Sequence, residues 1–379
     1  MFRWMLMIAV PMIAVIISNN RTLELKDHQE PGDRFFWLCA CVYLLWFAGL
    51  RMRYNDTTTY LNTFSNNTVT PDLLTFLRTT SFDIGEYWGY AFVKSLLKTI
   101  GMDNHLILFT FTAFYLSTYL WFIRKYAEDF LPMAMFLFLC DGYMMLLAAL
   151  KQVTATACAL IAIDKLLKNK KAWYVIWMII ALTFHPYVLV LFVVPFLIDA
   201  KPWTWRTWVM ILSMAVLGFG MQYTANLLAR FNDVYDVESL LDHTMNPMRF
   251  VVSLVPLGIS FLFREELFDD SSRAINLFAH LSICRTMFYF WALFGNPIVF
   301  ARVANYFDFS NAIFLSWAIN KLCNDEKNSL NGIFLKVGMY FGFLFFSFRN
   351  TVLGFQFVRQ TEHISLQHFF SSISKWLGI

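Results

Sequence analysis

Charge is scarce in this chain. Of its 379 residues 15% are charged and 58% hydrophobic, with a mean hydropathy of +0.53. Soluble domains carry about 25% charged residues, so the composition excludes an ordinary soluble globular protein. The net charge is only +4 and its excess sits in loops, which leaves no basic face for nucleic acid. No GxxxxGKS or GxxxxGKT loop occurs, which argues against ATP-driven transport. The six cysteines show no paired spacing for a disulfide framework or a zinc site. Other metal-ligand clusters, internal repeats and low-complexity runs are also missing. What is abundant is aromatic: 42 phenylalanines and 13 tryptophans, which suit lipid and its interface. These features together describe a polytopic, all-α integral membrane protein, read as one domain over residues 1–379.

A spanning helix needs roughly 20 apolar residues. Eleven segments qualify, at about 2–18, 35–50, 105–123, 130–149, 152–167, 172–198, 208–225, 248–263, 274–294, 303–320 and 333–348. The first lacks a small-residue cleavage site and reads as a retained helix. The segment 172–198 is too long for one straight helix and carries "FHP" at its centre. Proline removes a backbone donor and disfavours helix in the residue before it. Two half-helices meeting at His185 and returning to the same side are therefore expected. The basic loops support this independently. Arg124–Lys125, the lysines at 165–171, Lys201/Arg206, Arg264/Arg273 and Lys321/Lys327 share one side only if 172–198 is a hairpin. By the positive-inside rule that side is cytoplasmic. The loops 51–104 and 226–247 then face out, with amphipathic surface helices expected in "EYWGYAFVKSLLKTIG" and "TANLLARFNDVYDVESLLDH".

With this topology the unusual polar residues collect at the outer face. Arg51, Arg53, Asp56 and Tyr60 follow the second helix, and Glu86 opens a surface helix. Lys151 and Gln152 stand between two spans, His185 reaches the hairpin tip, and Arg249 and Arg302 each begin a helix. Each has a plainer reading. Arg51, Arg78, Arg249 and Arg302 fit arginines that reach to lipid phosphates. His185 fits a hydrogen-bonded structural histidine, Glu86 a helix N-terminal charge and Asp56 a helix cap. Arg285, mid-way along 274–294, calls for a carboxylate partner, Asp308 or Asp141. As a set, arginines with one or two carboxylates and a histidine suit an anionic, lipid-linked substrate. Guanidinium forks match phosphate oxygens, fixed cations stabilise a leaving pyrophosphate, and a sugar hydroxyl needs a base within reach.

The same residues fall in a familiar order. Arg53-x-x-Asp56-x-x-x-Tyr60, Glu86-x-x-Gly89-Tyr90, Lys151-Gln152-x-x-Ala155, Phe184-His185-Pro186 and Arg302-x-x-x-Tyr306-Phe307 follow one another across roughly residues 40–320. This pattern resembles the EpsG-like branch of the Wzy O-antigen and exopolysaccharide polymerases. One departure is that the family usually has arginine where this chain has Lys151, and lysine lacks the bidentate geometry. The resemblance implies a multi-pass enzyme of the bacterial inner membrane with a periplasmic active face. It would transfer a growing glycan from undecaprenyl pyrophosphate onto the non-reducing end of another lipid-linked repeat unit. By that analogy Arg51, Arg53, Lys151, Arg249 and Arg302 hold pyrophosphate or acceptor. Tyr60, Tyr90, Gln152 and Tyr306 stand beside them, and His185, Asp56 or Glu86 handles the proton. The implied partners are the undecaprenyl-pyrophosphate-linked oligosaccharide, membrane lipids and a chain-length regulator, with no cofactor and no metal.

Two rivals remain at this point. Another lipid-sugar glycosyltransferase would carry adjacent acidic residues in its first outer loop, or, if an O-antigen ligase, its largest outer loop late in the chain. A flippase or transporter would line the midplane with charges, often in inverted repeats. Only His280, Arg285, Asp141, Asp164 and Asp308 lie deep here.

Overall fold

A computed structural model of the chain describes residues 2–27, 34–82, 87–220, 245–294, 297–354 and 362–379. These residues are helical almost throughout, and the extended pairing among them is one isolated bridge between Arg51 and His363. In chain order the helices are α1 (Phe2–Asp27), α2 (Phe35–Gly49), α3 (Thr57–Ser65), α4 (Leu73–Thr79), α5 (Trp88–Thr99) and α6 (Asn104–Tyr126). Next come α7 (Leu131–Leu137), α8 (Tyr143–Ala148), α9 (Leu150–Leu167), α10 (Lys171–Phe184), α11 (Val194–Leu197) and α12 (Trp205–Phe219). The remainder are α13 (Pro247–Leu262), α14 (Arg264–Phe268), α15 (Arg273–Phe294), α16 (Pro297–Ala304), α17 (Asp308–Asn324), α18 (Ser329–Ser347) and α19 (Leu366–Leu377). Helix occupies the described part of each of the eleven expected segments. Among the described residues five helical runs, including α6 and α15, are by length and composition able to cross a membrane, and five apolar helices are shorter. A 23-residue helix such as α6 is about 34 Å long, enough for the hydrocarbon core.

The break at "FHP" is present. Helix α10 ends at Phe184, and Pro186–Val193 continues as a 3₁₀ turn. The Tyr174 hydroxyl donates to the Leu191 carbonyl at 3.1 Å. In a straight rod these residues would stand roughly 28 Å apart, at ~1.5 Å per residue in the α part and ~2.0 Å in the 3₁₀ part. The second half therefore folds back along the first, with His185 at the tip.

The hairpin brings the basic loops to one end of the bundle. There Arg273 pairs with Asp199 at 2.7 Å and donates to Asn169 Oδ1 at 2.7 Å. Lys201 donates to the Asp269 carbonyl and Lys321 to the Leu267 carbonyl. Lys125 and Lys168 both engage buried Asp164. The opposite end carries the 51–60 loop, the N-termini of α9 and α13, and the C-terminal segment. His363 Nε2 lies 2.8 Å from the Phe47 carbonyl, and Met52 N–H donates to the Glu362 carbonyl at 2.7 Å. Trp376 Nε1 donates to the Ile100 carbonyl at 2.8 Å, which ties α19 to the turn before α6.

The surface helix expected from residue 86 onward is α5, with Tyr90, Lys94 and Leu97 buried on one face. Gly89 sets its approach to α10, because a Cβ there would lie 2.0 Å from Thr183 Oγ1. The second expected surface helix, in residues 226–247, lies almost wholly outside the described residues. All six cysteines are free.

Candidate functional site

A cavity of about 880 Å³ opens at the end opposite the basic loops. Seven of the expected site residues line it: Asp56, Tyr60, Lys151, Gln152, His185, Arg249 and Arg302. They come from the loop after α2, from α3, α9, the hairpin tip, α13 and α16. They are the residues that the sequence gathers at one face, and they share one chamber.

His185 stands at the tip because Pro186 ends α10 there. The Tyr306 hydroxyl lies 2.8 Å from its Nδ1, and the Tyr87 and Tyr187 rings pack at 5.4 and 5.2 Å. With Nδ1 held by Tyr306, Nε2 is the ring nitrogen left for the cavity. When the phenol accepts from Nδ1–H, Nε2 carries a lone pair and is competent as a base. Fully buried Tyr306 itself does not line the cavity and acts on His185.

Asp56 sits at the N-cap of α3 but makes no capping hydrogen bond, so the plain cap reading does not describe its carboxylate. Lys151 Nζ lies over the Tyr87 ring at 4.0 Å and the Tyr90 ring at 5.4 Å. Tyr90 is buried behind the wall, its ring 6.2 Å from that of Tyr60, and it supports both neighbours from outside the cavity. Burial pushes the Tyr60 and Tyr54 phenols above their usual range, so both remain neutral at ordinary pH. Gln152 Nε2 donates to the Arg302 carbonyl at 2.6 Å and fixes the backbone that carries that arginine.

The lining holds four cationic side chains, Lys151, Arg249, Arg285 and Arg302, and three carboxylates, Asp56, Asp141 and Asp308. Two helix N-termini face the same space: Ala149, Lys151 and Gln152 belong to the start of α9, and Asn246 and Arg249 to that of α13. Their first-turn amides and dipoles favour an anion. The rim is also strained: Tyr54, Asn55 and Tyr87, at φ of 139°, 48° and 53°, all line it. For non-glycine residues such conformations persist only where the surroundings impose them, and they gather at functional sites.

Two further expected residues lie away from the cavity. Arg51 is fully buried and donates to the Ala48 carbonyl, Thr57 Oγ1 and Thr112 Oγ1, so it pins the 51–60 loop and reaches neither lipid phosphate nor cavity. Arg53 is exposed and pairs with Glu362 at 3.3 Å. Glu86 lies outside the described residues. The structure adds Tyr54, Asn55, Tyr87, Tyr289 and Asn305 to the lining, and it places Arg285 with both candidate partners at once. Arg285 reaches Asp141 at 2.6 Å and Asp308 at 2.7 Å. Asp141 lies in a five-residue π-helical stretch, Phe138–Gly142, a distortion common at functional sites. Charges inside three apolar segments were the available signal for this group.

Residues 34–359 match the EpsG family. This chain belongs to the EpsG family. That family is a Wzy-like polymerase family, and the match spans every cavity-lining residue of this EpsG-family chain. No curated protein and no solved structure matches it.

Proposed function

We propose that the protein is a polysaccharide polymerase that transfers a growing glycan from undecaprenyl pyrophosphate onto the non-reducing end of a lipid-linked repeat unit. The observation that carries this reading is the single cavity in which Lys151, Arg249, Arg302 and two helix N-termini surround His185. The cations and amides suit a diphosphate, whose developing charge in the leaving group fixed donors stabilise. The acceptor hydroxyl attacks the anomeric carbon, the bond from that carbon to the pyrophosphate oxygen breaks, and undecaprenyl pyrophosphate leaves. His185 Nε2 takes the hydroxyl proton. It is preferred as base over Asp56 because Tyr306 orients it, the arrangement expected of a positioned base. Asp56 lies near Lys151 and balances its charge.

The end rich in paired lysine and arginine is assigned to the cytoplasm by the positive-inside rule. The cavity then opens at the periplasmic side of a bacterial inner membrane, where membrane lipids and a chain-length regulator would meet it. The test is to delete the gene and run the surface polysaccharide on a gel. A polymerase leaves one repeat unit attached and no ladder. Loss of every attached unit would instead indicate a flippase or ligase and end this reading.

A further inference from the structure

The cavity is electrically divided between its rim and its floor. Among the described residues that line the rim, Lys151, Arg249 and Arg302 stand with one carboxylate, Asp56. At the floor, Arg285 meets two, Asp141 and Asp308, which at least cancel its charge. Arg285 lies nine residues before the end of α15 at Phe294, about 13 Å down the helix axis at ~1.5 Å per residue. A diphosphate is attracted to the rim, while at the floor the two carboxylates offset the charge of Arg285.

The floor nevertheless presents hydrogen-bonding capacity that the protein does not use. The Arg285 side chain is 2% exposed and lines the cavity, yet its Nη1 finds no acceptor among the described residues. Its other nitrogens are taken by Asp308, from Nε, and Asp141, from Nη2. Each carboxylate has lone pairs beyond the one that Arg285 occupies. Tyr289 lies under the guanidinium at 4.9 Å and donates to Asn305 Oδ1, so the ring and the amide are fixed as well. A buried guanidinium donor left unmade is costly, and a charge at this depth marks a functional site by default. Donor and acceptors side by side, with no net positive charge, match vicinal hydroxyls and do not match phosphate.

We propose that this floor is a sugar subsite, where Arg285 Nη1 donates to, and Asp141 and Asp308 accept from, the hydroxyls of an uncharged sugar residue of the lipid-linked oligosaccharide. The proposal rests on the polymerase reading for the identity of that oligosaccharide. It separates two jobs within one chamber: the rim grips the pyrophosphate and the floor grips a sugar ring.

The test uses the full-length protein in detergent and two probes. One is inorganic pyrophosphate, and the other is the phosphate-free oligosaccharide released by mild acid from the cell's own lipid-linked repeat units. Removing one member of the triad would leave a buried charge unpaired, so the variant is the triple Arg285→Met, Asp141→Asn, Asp308→Asn. Replacing a buried ion cluster by neutral groups of similar size is often tolerated. The triple variant should keep pyrophosphate binding near wild type, which also shows that it folds. It should lose oligosaccharide binding by about tenfold or more. Arg302→Ala should do the reverse. Unchanged oligosaccharide binding in the triple variant, or none in the wild type, overturns the subsite while leaving the polymerase reading in place. Triad-dependent oligosaccharide binding in a protein that ignores pyrophosphate upholds the subsite and breaks the polymerase reading instead. Borohydride opens only the reducing-end ring, so binding that survives reduction assigns the floor to the acceptor's non-reducing end. Binding lost on reduction assigns it to the donor's reducing end.

Discussion

At the basic end of the bundle, cations stand against carboxylates and helix C-terminal carbonyls: Asp164 engages Lys125 and Lys168, Asp199 engages Arg273, and Lys321 donates to the Leu267 carbonyl. At the cavity end, Lys151 lies on tyrosine rings, Arg249 forms no ion pair among the described residues, and Arg285 keeps one nitrogen unpartnered. The residue types are the same, and all but Arg285 stand near helix ends or in polar breaks. What differs is that one end satisfies its charges internally while the other directs them into a chamber. The first holds helices together, and the second leaves polar groups lining a cavity.

Breaking the cavity end should produce the largest effect. His185→Ala and Arg302→Ala should each abolish the polysaccharide ladder, since a positioned base or a charge-stabilising donor contributes about 10²–10⁴-fold. An immunoblot of membranes should show normal protein, and a normal ladder from either variant removes that residue from the mechanism. At the basic end, Asp164→Ala should cost stability and not chemistry. The two lysines left behind are partly exposed, so the loss is that of their hydrogen bonds to one buried carboxylate, about 1–3 kcal/mol, read as a lower melting temperature in detergent, while the ladder made per folded molecule is unchanged. Tyr306→Phe tests the support behind His185. One lost hydrogen bond of about 1–1.5 kcal/mol should slow polymerisation roughly tenfold with membrane protein levels intact.

Lys94 gives a pH-dependent comparison. Burial lowers its pKa to about 8, with Lys151 and Lys98 adding repulsion. A lysine depressed in the folded state opposes folding while charged, so stability should rise as pH climbs from about 8 toward the ordinary lysine value of 10.5. Melting curves at pH 7.5 and 9.5 should show that rise, and Lys94→Met should remove it. Arg53→Ala should do least of all. Its exposed pair with Glu362 is worth about 0–1 kcal/mol, so the ladder should keep its length. A shortened ladder would return Arg53 to substrate binding.

Much of the architecture was legible because the bilayer constrains sequence directly. Apolar runs gave the helices, and the proline after His185, with the basic loops, gave the hairpin that the Tyr174–Leu191 hydrogen bond requires. The site was legible in part. Asp56, Tyr60, Lys151, Gln152, His185, Arg249 and Arg302 were placed on one face by topology alone. Arg51 and Arg53 looked equivalent in sequence, two residues apart, yet one is sealed inside by Thr57 and Thr112 and the other is on the surface. No local pattern distinguishes them, because the acceptors of Arg51 include a threonine 61 residues away. The contacts of the C-terminal segment with the 47–52 stretch were equally invisible, since they join residues more than 300 apart.

By itself the sequence determined that this is a membrane protein, which segments are apolar helices and where the helix breaks, because each follows from local transfer free energy and backbone donors. Only the tertiary structure decided which of those charges are spent. Whether an arginine binds a ligand or a neighbour depends on what stands within about 3 Å of its nitrogens. Distant helices supply those partners: threonines for Arg51 and two aspartates for Arg285, one of whose nitrogens finds no acceptor among the described residues.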